Sequence, residues 1–376
     1  MRATGIFAVI TVMVMMVFVS GAAAAAPDVV SPDTAAPSDA TAQEIRLSER
    51  ASAEIEKNWT ILVNPVYRAR VETIVNRLSP QMERNLPYDI GIIDHKMVNA
   101  FALAGGKMYV TTGMLDFVKT DVELAGVIAH EMVHADKKHV IIQSARNNRM
   151  TLLAITAAIA SKGNAAAMIA ANVLQVAVMG AYSIDLEKEA DALGIDILAR
   201  AGYNPVGMLT IQERLKEERL KHPDINPGIY QTHPETDERI AAAEKYLDDH
   251  GIPIRRKYAL GNLRTSVGET SGDLGTALFI DDTEVWRGRG DEKTRKLFGR
   301  IADDFWEHLQ LETVPFEVRV ESGMDGSNQA FYVGPRKIAA ADELPPGTES
   351  LRTLRENVQK VLSDARMTHP MANYYK

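Results

Sequence analysis

No cysteine occurs in the 376 residues. Disulfides, thiol nucleophiles, cysteine-type zinc sites and a lipid-modified cysteine are thereby excluded, and histidine and carboxylates are left as the strong metal ligands. Positive charge is in the minority, with 42 Lys+Arg against 50 Asp+Glu and a formal net charge of −8. With no basic stripe interleaved with aromatics, nucleic acid is excluded as a partner. Long apolar runs are also scarce. Ile6–Val19 is about 14 residues, short of the roughly 20 that span a bilayer. Preceded by Arg2 and followed by Ser20-Gly21 and five alanines, it reads as a secretory signal over residues 1–26, cleaved near Ala24–Ala26. Residues 151–182 are apolar but rich in alanine and broken at Lys162-Gly163-Asn164, so they read as buried or lid helices rather than a membrane hairpin. An exported protein follows, without a multi-span domain and compatible with contact at a membrane surface.

What is present is a globular composition, 46% hydrophobic and 24% charged. Residues 27–42, rich in Pro, Ala, Ser, Thr and Asp, read as a flexible linker. The apolar pattern predicts helix over 43–85 and a strand at Tyr88–Ile93. Two further strands, Phe101–Leu103 and Lys107–Thr112, are joined across Gly105-Gly106. Helices follow from Asp121 past His139 and over 185–201, 205–221 and 236–249. A linker is placed over 251–275 and a small module over 276–376. The module reads as strand (Thr276–Trp286), helix (Asp291–Leu311), two strands (Phe316–Glu321 and Gln329–Val333) and helix (Gly347–Ala365). No repeat with a period of roughly 20–50 residues is found.

The chemistry concentrates at His130-Glu131-Met132-Val133-His134. On a helix, positions four apart share one face, so both imidazoles can point at one metal ion. Glu131 lies about 100° round the helix from His130, beside the ion. There it can take a proton from a water activated by the metal and pass it to a leaving amine. Two histidines leave a zinc short of a third protein ligand. Glu187 and Asp191 lie one turn apart on a later helix; one can bind the metal while the other orients an imidazole. His139 is expected to face away from the pair, and His95 and His222 are isolated. His233, in a His-Pro loop, can either deliver an imidazole to the metal or simply open the next helix.

Together with the stretch Asn99-Ala100-Phe101-Ala102-Leu103-Ala104-Gly105-Gly106-Lys107-Met108-Tyr109-Val110-Thr111-Thr112-Gly113 and with Thr232-His233-Pro234, these motifs resemble the M48 (Ste24/HtpX-type) zinc metallopeptidases, in their soluble exported bacterial branch. The resemblance covers residues 43–248. It implies an α+β fold: a mainly helical zincin-type (gluzincin) domain over 43–250 with a small sheet, followed by the C-terminal α+β module. It implies one zinc held by His130, His134 and Glu187, with Glu131 as general base and Asp191 behind a zinc-binding histidine. His233 becomes a candidate fourth ligand or latch. Lys107, Met108, Tyr109, Val110 and Thr111 become the edge strand that a substrate peptide extends. Ala104, Val133 and Ile184 depart from the residues usual in the family, but none is a ligand or the base. The function implied is endopeptidase action on unfolded or misassembled envelope proteins in the periplasm, the alternative being a chaperone or scaffold of the same fold.

Overall fold

The computed structural model describes residues 37–147, 173, 175–178, 180–221, 228–234, 237–270, 275–310, 313–322 and 328–368. The signal segment 1–26, most of 27–42, most of the apolar stretch 151–182, and His222 lie outside them. Residues 37–42, expected to be linker, already belong to helix α1 (Pro37–Asn58). Pro37 stands in the first turn of that helix, where a missing N–H leaves no bond unmade.

Helix α2 (Pro65–Leu78) starts on Asn64, whose side chain accepts from the Val66 and Tyr67 amides, and it buries Val71, Ile74, Val75 and Leu78. Three strands follow: β1 (Asp89–Ile93), β2 (Ala100–Ala102) and β3 (Lys107–Thr111). β2 and β3 turn on Gly105-Gly106, both at φ +100, and a Cβ at Gly105 would stand 2.8 Å from the Glu44 carbonyl oxygen. Only glycine accommodates that backbone and that approach.

The strand order is β1-β3-β2. Lys107, Met108, Tyr109, Val110 and Thr111 therefore form the central strand and not the expected edge. β3 pairs antiparallel with β2 and parallel with β1, so both of its sides are occupied. The physical reason lies in pairing between distant segments: β1 docks parallel on the side of β3 that would otherwise be open. The edge is β2. Leu103 donates to the Lys107 carbonyl and Thr111 donates to the Asn99 carbonyl. Alternation along the strand then turns the N–H and C=O of Ala100 and Ala102 away from β3.

After α3 (Thr112–Phe117) comes α4 (Asp121–Asp136), capped by the Thr120 hydroxyl on the Glu123 amide at 3.2 Å. Every residue from Glu123 to Asp136 is buried, as expected of a helix enclosed on all sides. It does not run past His139. Lys138 takes a left-handed φ of 59, and a new helix, α5 (His139–Asn147), begins beyond it.

α6 (Ile184–Arg200) lies against α4 and stops before Gly202, at φ +74. α7 (Val206–Lys221) crosses α4 where Gly126 meets Gly207. A Cβ at Gly126 would lie 3.2 Å from the Gly207 oxygen, so the crossing depends on two small residues. One helical turn, α8 (Ile229–Thr232), delivers His233-Pro234 to α9 (Asp237–Asp249), which packs on α6 and α7. Among the described residues, no helix is long and apolar enough to cross a membrane.

Residues 251–275 are more than a linker. They contain α10 (Arg256–Leu260), packed on α4 and α7, and β4 (Thr265–Glu269), the first strand of the C-terminal module. The expected strand Thr276–Trp286 is a hairpin, β5 (Gly275–Ile280) and β6 (Thr283–Arg289), turned at Asp281 with φ 49. Helix α11 (Glu292–Leu309) follows, then β7 (Val318–Glu321), β8 (Ala330–Val333), an additional strand β9 (Arg336–Ala340), and α12 (Leu351–Thr368).

This module is one unit used twice, with a constant spacing of 53 residues, as from Leu278 to Phe331. Buried Leu278, Ile280 and Val285 match buried Phe331, Val333 and Ile338. On the helices, Phe298, Ile301, Phe305 and Leu309 match Leu351, Leu354, Val358 and Leu362. The register irregularity at Leu278/Phe279 recurs at Phe331/Tyr332, and the left-handed turn at Asp281 recurs at Gly334. Each helix also packs on the last strand of the other copy, α11 on β9 and α12 on β6, so the two copies share a single core.

Candidate metal centre and active site

The site forms where the enclosed helix α4 passes between β2 and α6. His130 and His134, one turn apart, present their Nε2 atoms 3.0 Å from each other. Glu187, on the first turn of α6, approaches from the opposite side, its carboxylate 3.5 Å from each of those nitrogens. His233 closes the group, with Nδ1 3.3 Å from His130 Nε2 and 3.0 Å from Glu187 Oε1. All four residues are buried, and their ligand atoms lie within 4.8 Å of one another. A tetrahedron with bonds of about 2.05 Å has edges of about 3.3 Å, close to these separations.

The donor chemistry fits a cation. Against the effect of burial, Asp191, with Oδ1 3.0 Å from Nδ1, and Glu187 raise the His130 imidazole to about 10; a cation bound here would take the place of the Nε2 proton, and Asp191 would keep the proton on Nδ1. His134 Nδ1 faces His139 Nδ1 at 3.0 Å. Burial, with the His130 charge adding to it, pushes His139 down to about 4, so His139 is neutral and accepts this bond. Its own Nε2 then stands 3.4 Å from the Glu189 carboxylate, which is half exposed. His139 thus supports the pair instead of facing away. The helix break at Lys138 resets the angular count that had turned it outward.

Glu131 is buried, and neither of its carboxylate oxygens has a hydrogen-bond partner of good geometry among the described residues. Its nearest ionisable contact is His233 Nε2, at 3.4 Å. Burial raises the Glu131 carboxyl against the opposing pull of His233 and His130. Glu187 goes the other way. Burial would raise it, but His233 and Arg239 together hold it well below the ordinary carboxylate range. Two carboxylates that both contact His233 are therefore pushed in opposite directions, one toward carrying a proton and one toward permanent charge.

Arg239 was not singled out from the sequence. Its Nε and Nη2 make a bidentate pair with Asp191 at 2.8 and 2.7 Å, and its Nη1 lies 2.6 Å from Glu187 Oε2. The same Nη1 donates to the Pro234 carbonyl at 3.2 Å, tying the His-Pro loop to α6. A signal existed: Arg239, Ala243 and Leu247 form the buried stripe of α9, and a cation on such a stripe needs carboxylates within the core. Replacing Arg239 by Met leaves two buried carboxylates short of their cation and is expected to cost about 3–5 kcal/mol of stability. An unchanged urea midpoint would show that the pairing is dispensable. Tyr182, stacked on His134 at 4.1 Å, and β2 beside α4 are the other components that the sequence reading passed over.

A helix-borne histidine pair with an intervening glutamate, an edge strand alongside and a carboxylate from a following helix define a zincin-type metallopeptidase fold. The chain belongs to peptidase family M48, whose family model matches residues 65–247. It is 30% identical to the metalloprotease LoiP of Escherichia coli (strain K12), over 56% of this chain and 83% of that protein. It is 24% identical to the beta-barrel assembly-enhancing protease of Yersinia pestis, over 59% of this chain and 48% of that protein. Over 35% of its length it is 32% identical to the mitochondrial metalloendopeptidase OMA1 of Arabidopsis thaliana, of which it covers 26%. The chain spans less than half the length of the beta-barrel assembly-enhancing proteases that it matches.

Proposed function

We propose that the protein is a zinc-dependent endopeptidase, exported through a cleaved signal at residues 1–26, that cuts unfolded or misassembled envelope proteins in the periplasm. One observation carries the reading. A buried glutamate, with the Ala102 backbone amide and His233 as polar neighbours, stands beside two histidines and a carboxylate whose ligand atoms converge on one point. A chaperone or scaffold of the same fold has no use for such a glutamate.

His130, His134 and Glu187 hold one zinc per chain in this reading, and Asp191 keeps His130 in the correct tautomer. Zinc, when bound, supplies a Lewis acid that polarises the scissile carbonyl and acidifies a water. Glu131 takes the proton from that water and returns it to the leaving amine; burial keeps its proton affinity high enough for both steps. The role expected of Lys107–Thr111 passes to β2: the outward N–H and C=O groups of Ala100 and Ala102 align an extended substrate as an added strand. The doubled module after residue 260 holds clients. The relatives named for beta-barrel assembly point to barrel proteins that stall during assembly as those clients. The test is cleavage of unfolded casein by the purified protein, which a chelator must abolish; intact casein at high enzyme concentration would remove the proposal.

His233 acts as a fourth ligand or latch, held in place by the Arg239 contact with its loop. A fourth protein ligand must leave before substrate reaches an open coordination position. His233→Ala is expected to raise basal proteolysis or self-cleavage with zinc content unchanged. An inactive variant with full zinc would make His233 a stabiliser of the transition state, and a variant identical to wild type would leave it as a plain loop residue.

A further inference from the structure

Glu44, on α1, is only 3% exposed and lies at the C-terminal end of α4. A helix C-terminus carries unpaired carbonyls and partial negative charge, so a carboxylate has no reason of its own to be buried there. Two cations account for it. Arg84 Nη2 donates to Glu44 Oε2 at 2.5 Å, and Lys138 Nζ lies 2.6 Å from Glu44 Oε1. Both cations hold the end of α4. Arg84 Nη1 donates to the Ala135 carbonyl at 3.1 Å, and the Arg84 amide donates to Asp136 Oδ1 at 2.9 Å. Lys138 is the residue at which the helix turns.

That turn has a consequence for the metal centre. Lys138 takes its left-handed φ of 59 at a position where glycine is usual, and a side chain there costs about 1–2 kcal/mol. Its N–H closes on the Ala135 carbonyl at 3.3 Å, and its own carbonyl accepts from Ile141 and Ile142 at 2.9 and 3.0 Å. One residue thus ends α4 and opens α5. His139, the first residue of α5, is turned inward, fully buried, with Nδ1 3.0 Å from His134 Nδ1. Had α4 continued unbroken, position 139 would lie about 140° round the helix from His134 and face away from it.

Resting on the zinc site read above, we propose that Glu44 is a positioning residue for the metal ligand His134. Glu44 holds Lys138 in the left-handed turn, the turn presents His139, and His139 fixes the ring of His134 with Nε2 directed at the metal. Helix α1 thereby acts on the metal centre without touching it. A buried ion pair is weak evidence for a contribution to stability alone, and an ion pair that served only stability would leave zinc affinity unchanged. A partner that orients a ligating imidazole changes that affinity by about 10- to 100-fold.

The test is the zinc affinity of the full-length protein, read by competition with a fluorescent chelator and without need of hydrolysis. Glu44→Met removes both carboxylate oxygens at similar volume, and Lys138→Ala removes the ion pair but keeps a Cβ in the turn. Each is expected to weaken zinc binding about 10-fold, and His139→Ala by at least as much. Lys138 is partly exposed, so Lys138→Ala carries the test even where Glu44→Met does not fold. Lys138→Gly loses the same ion pair but adopts the turn freely, so it is expected to bind zinc within about twofold of wild type. Glu44→Met/Lys138→Gly is expected to recover most of what Glu44→Met loses. A fold weakened only at Arg84 would gain no zinc affinity from glycine at 138. Equal affinity in wild type, Glu44→Met and Lys138→Ala, or no recovery in the double variant, would overturn the inference and leave the metal centre standing. Wild type that takes up no zinc, or His134→Ala that binds it equally well, would overturn the metal-centre reading and the inference with it.

Discussion

Glu131→Gln is expected to bind zinc as fully as wild type and to lose casein hydrolysis by about 10³-fold. Glutamine keeps the shape of the side chain but cannot accept the water's proton. None of the three proposed ligands is touched. Stability is a second readout, with a definite sign. The folded-state pKa of Glu131 is raised, so the ionised carboxylate destabilises the native state, and this cost grows as pH rises through that pKa. Replacing it with a neutral amide removes the cost, so the melting temperature of the metal-stripped variant at neutral pH should equal or exceed that of metal-stripped wild type. Hydrolysis near the wild-type rate would mean that another group serves as the base.

His134→Ala is expected to leave zinc well below one per chain and hydrolysis undetectable. The substitution deletes one of the converging nitrogens and also strips His139 of its partner. Loss of a ligand that binds only the folded state lowers apparent stability by RT ln(1 + [L]/Kd), about 4 kcal/mol at 1,000-fold saturation. The melting temperature should therefore fall, and added zinc should not restore it. Glu187→Gln should lose zinc too, while weakening the Arg239 clamp on α6. Full zinc occupancy in His134→Ala would place the metal elsewhere.

The core of the site could be read because it obeys local rules. His130, Glu131 and His134 depend only on helical spacing; Glu187 and Asp191 repeat that geometry on a second helix, but which of them is the ligand came from the family resemblance and not from the spacing. What escaped was set by topology or by a break in a pattern. The identity of the edge strand depends on which neighbour β3 acquires from β1, a pairing between segments that local alternation does not encode. His139 was misjudged because one left-handed residue, Lys138, ended the helix over which the angle was being counted. Arg239 needed partners on another helix to make sense of a cation on a buried stripe. The doubling in the C-terminal half was present in the sequence as a 53-residue shift, but its two copies share side-chain character and not identity, as with Trp286 against Ala339. Only the matching turns and register irregularities make it plain.

The strictest single measurement is a zinc titration of protein stripped by chelation, with casein cleavage followed at each addition. The account predicts no cleavage in the stripped protein, a linear return of activity that saturates at one zinc per chain, and a flat line at all zinc levels for Glu131→Gln. Cleavage that survives stripping, or that returns equally in Glu131→Gln, would contradict it.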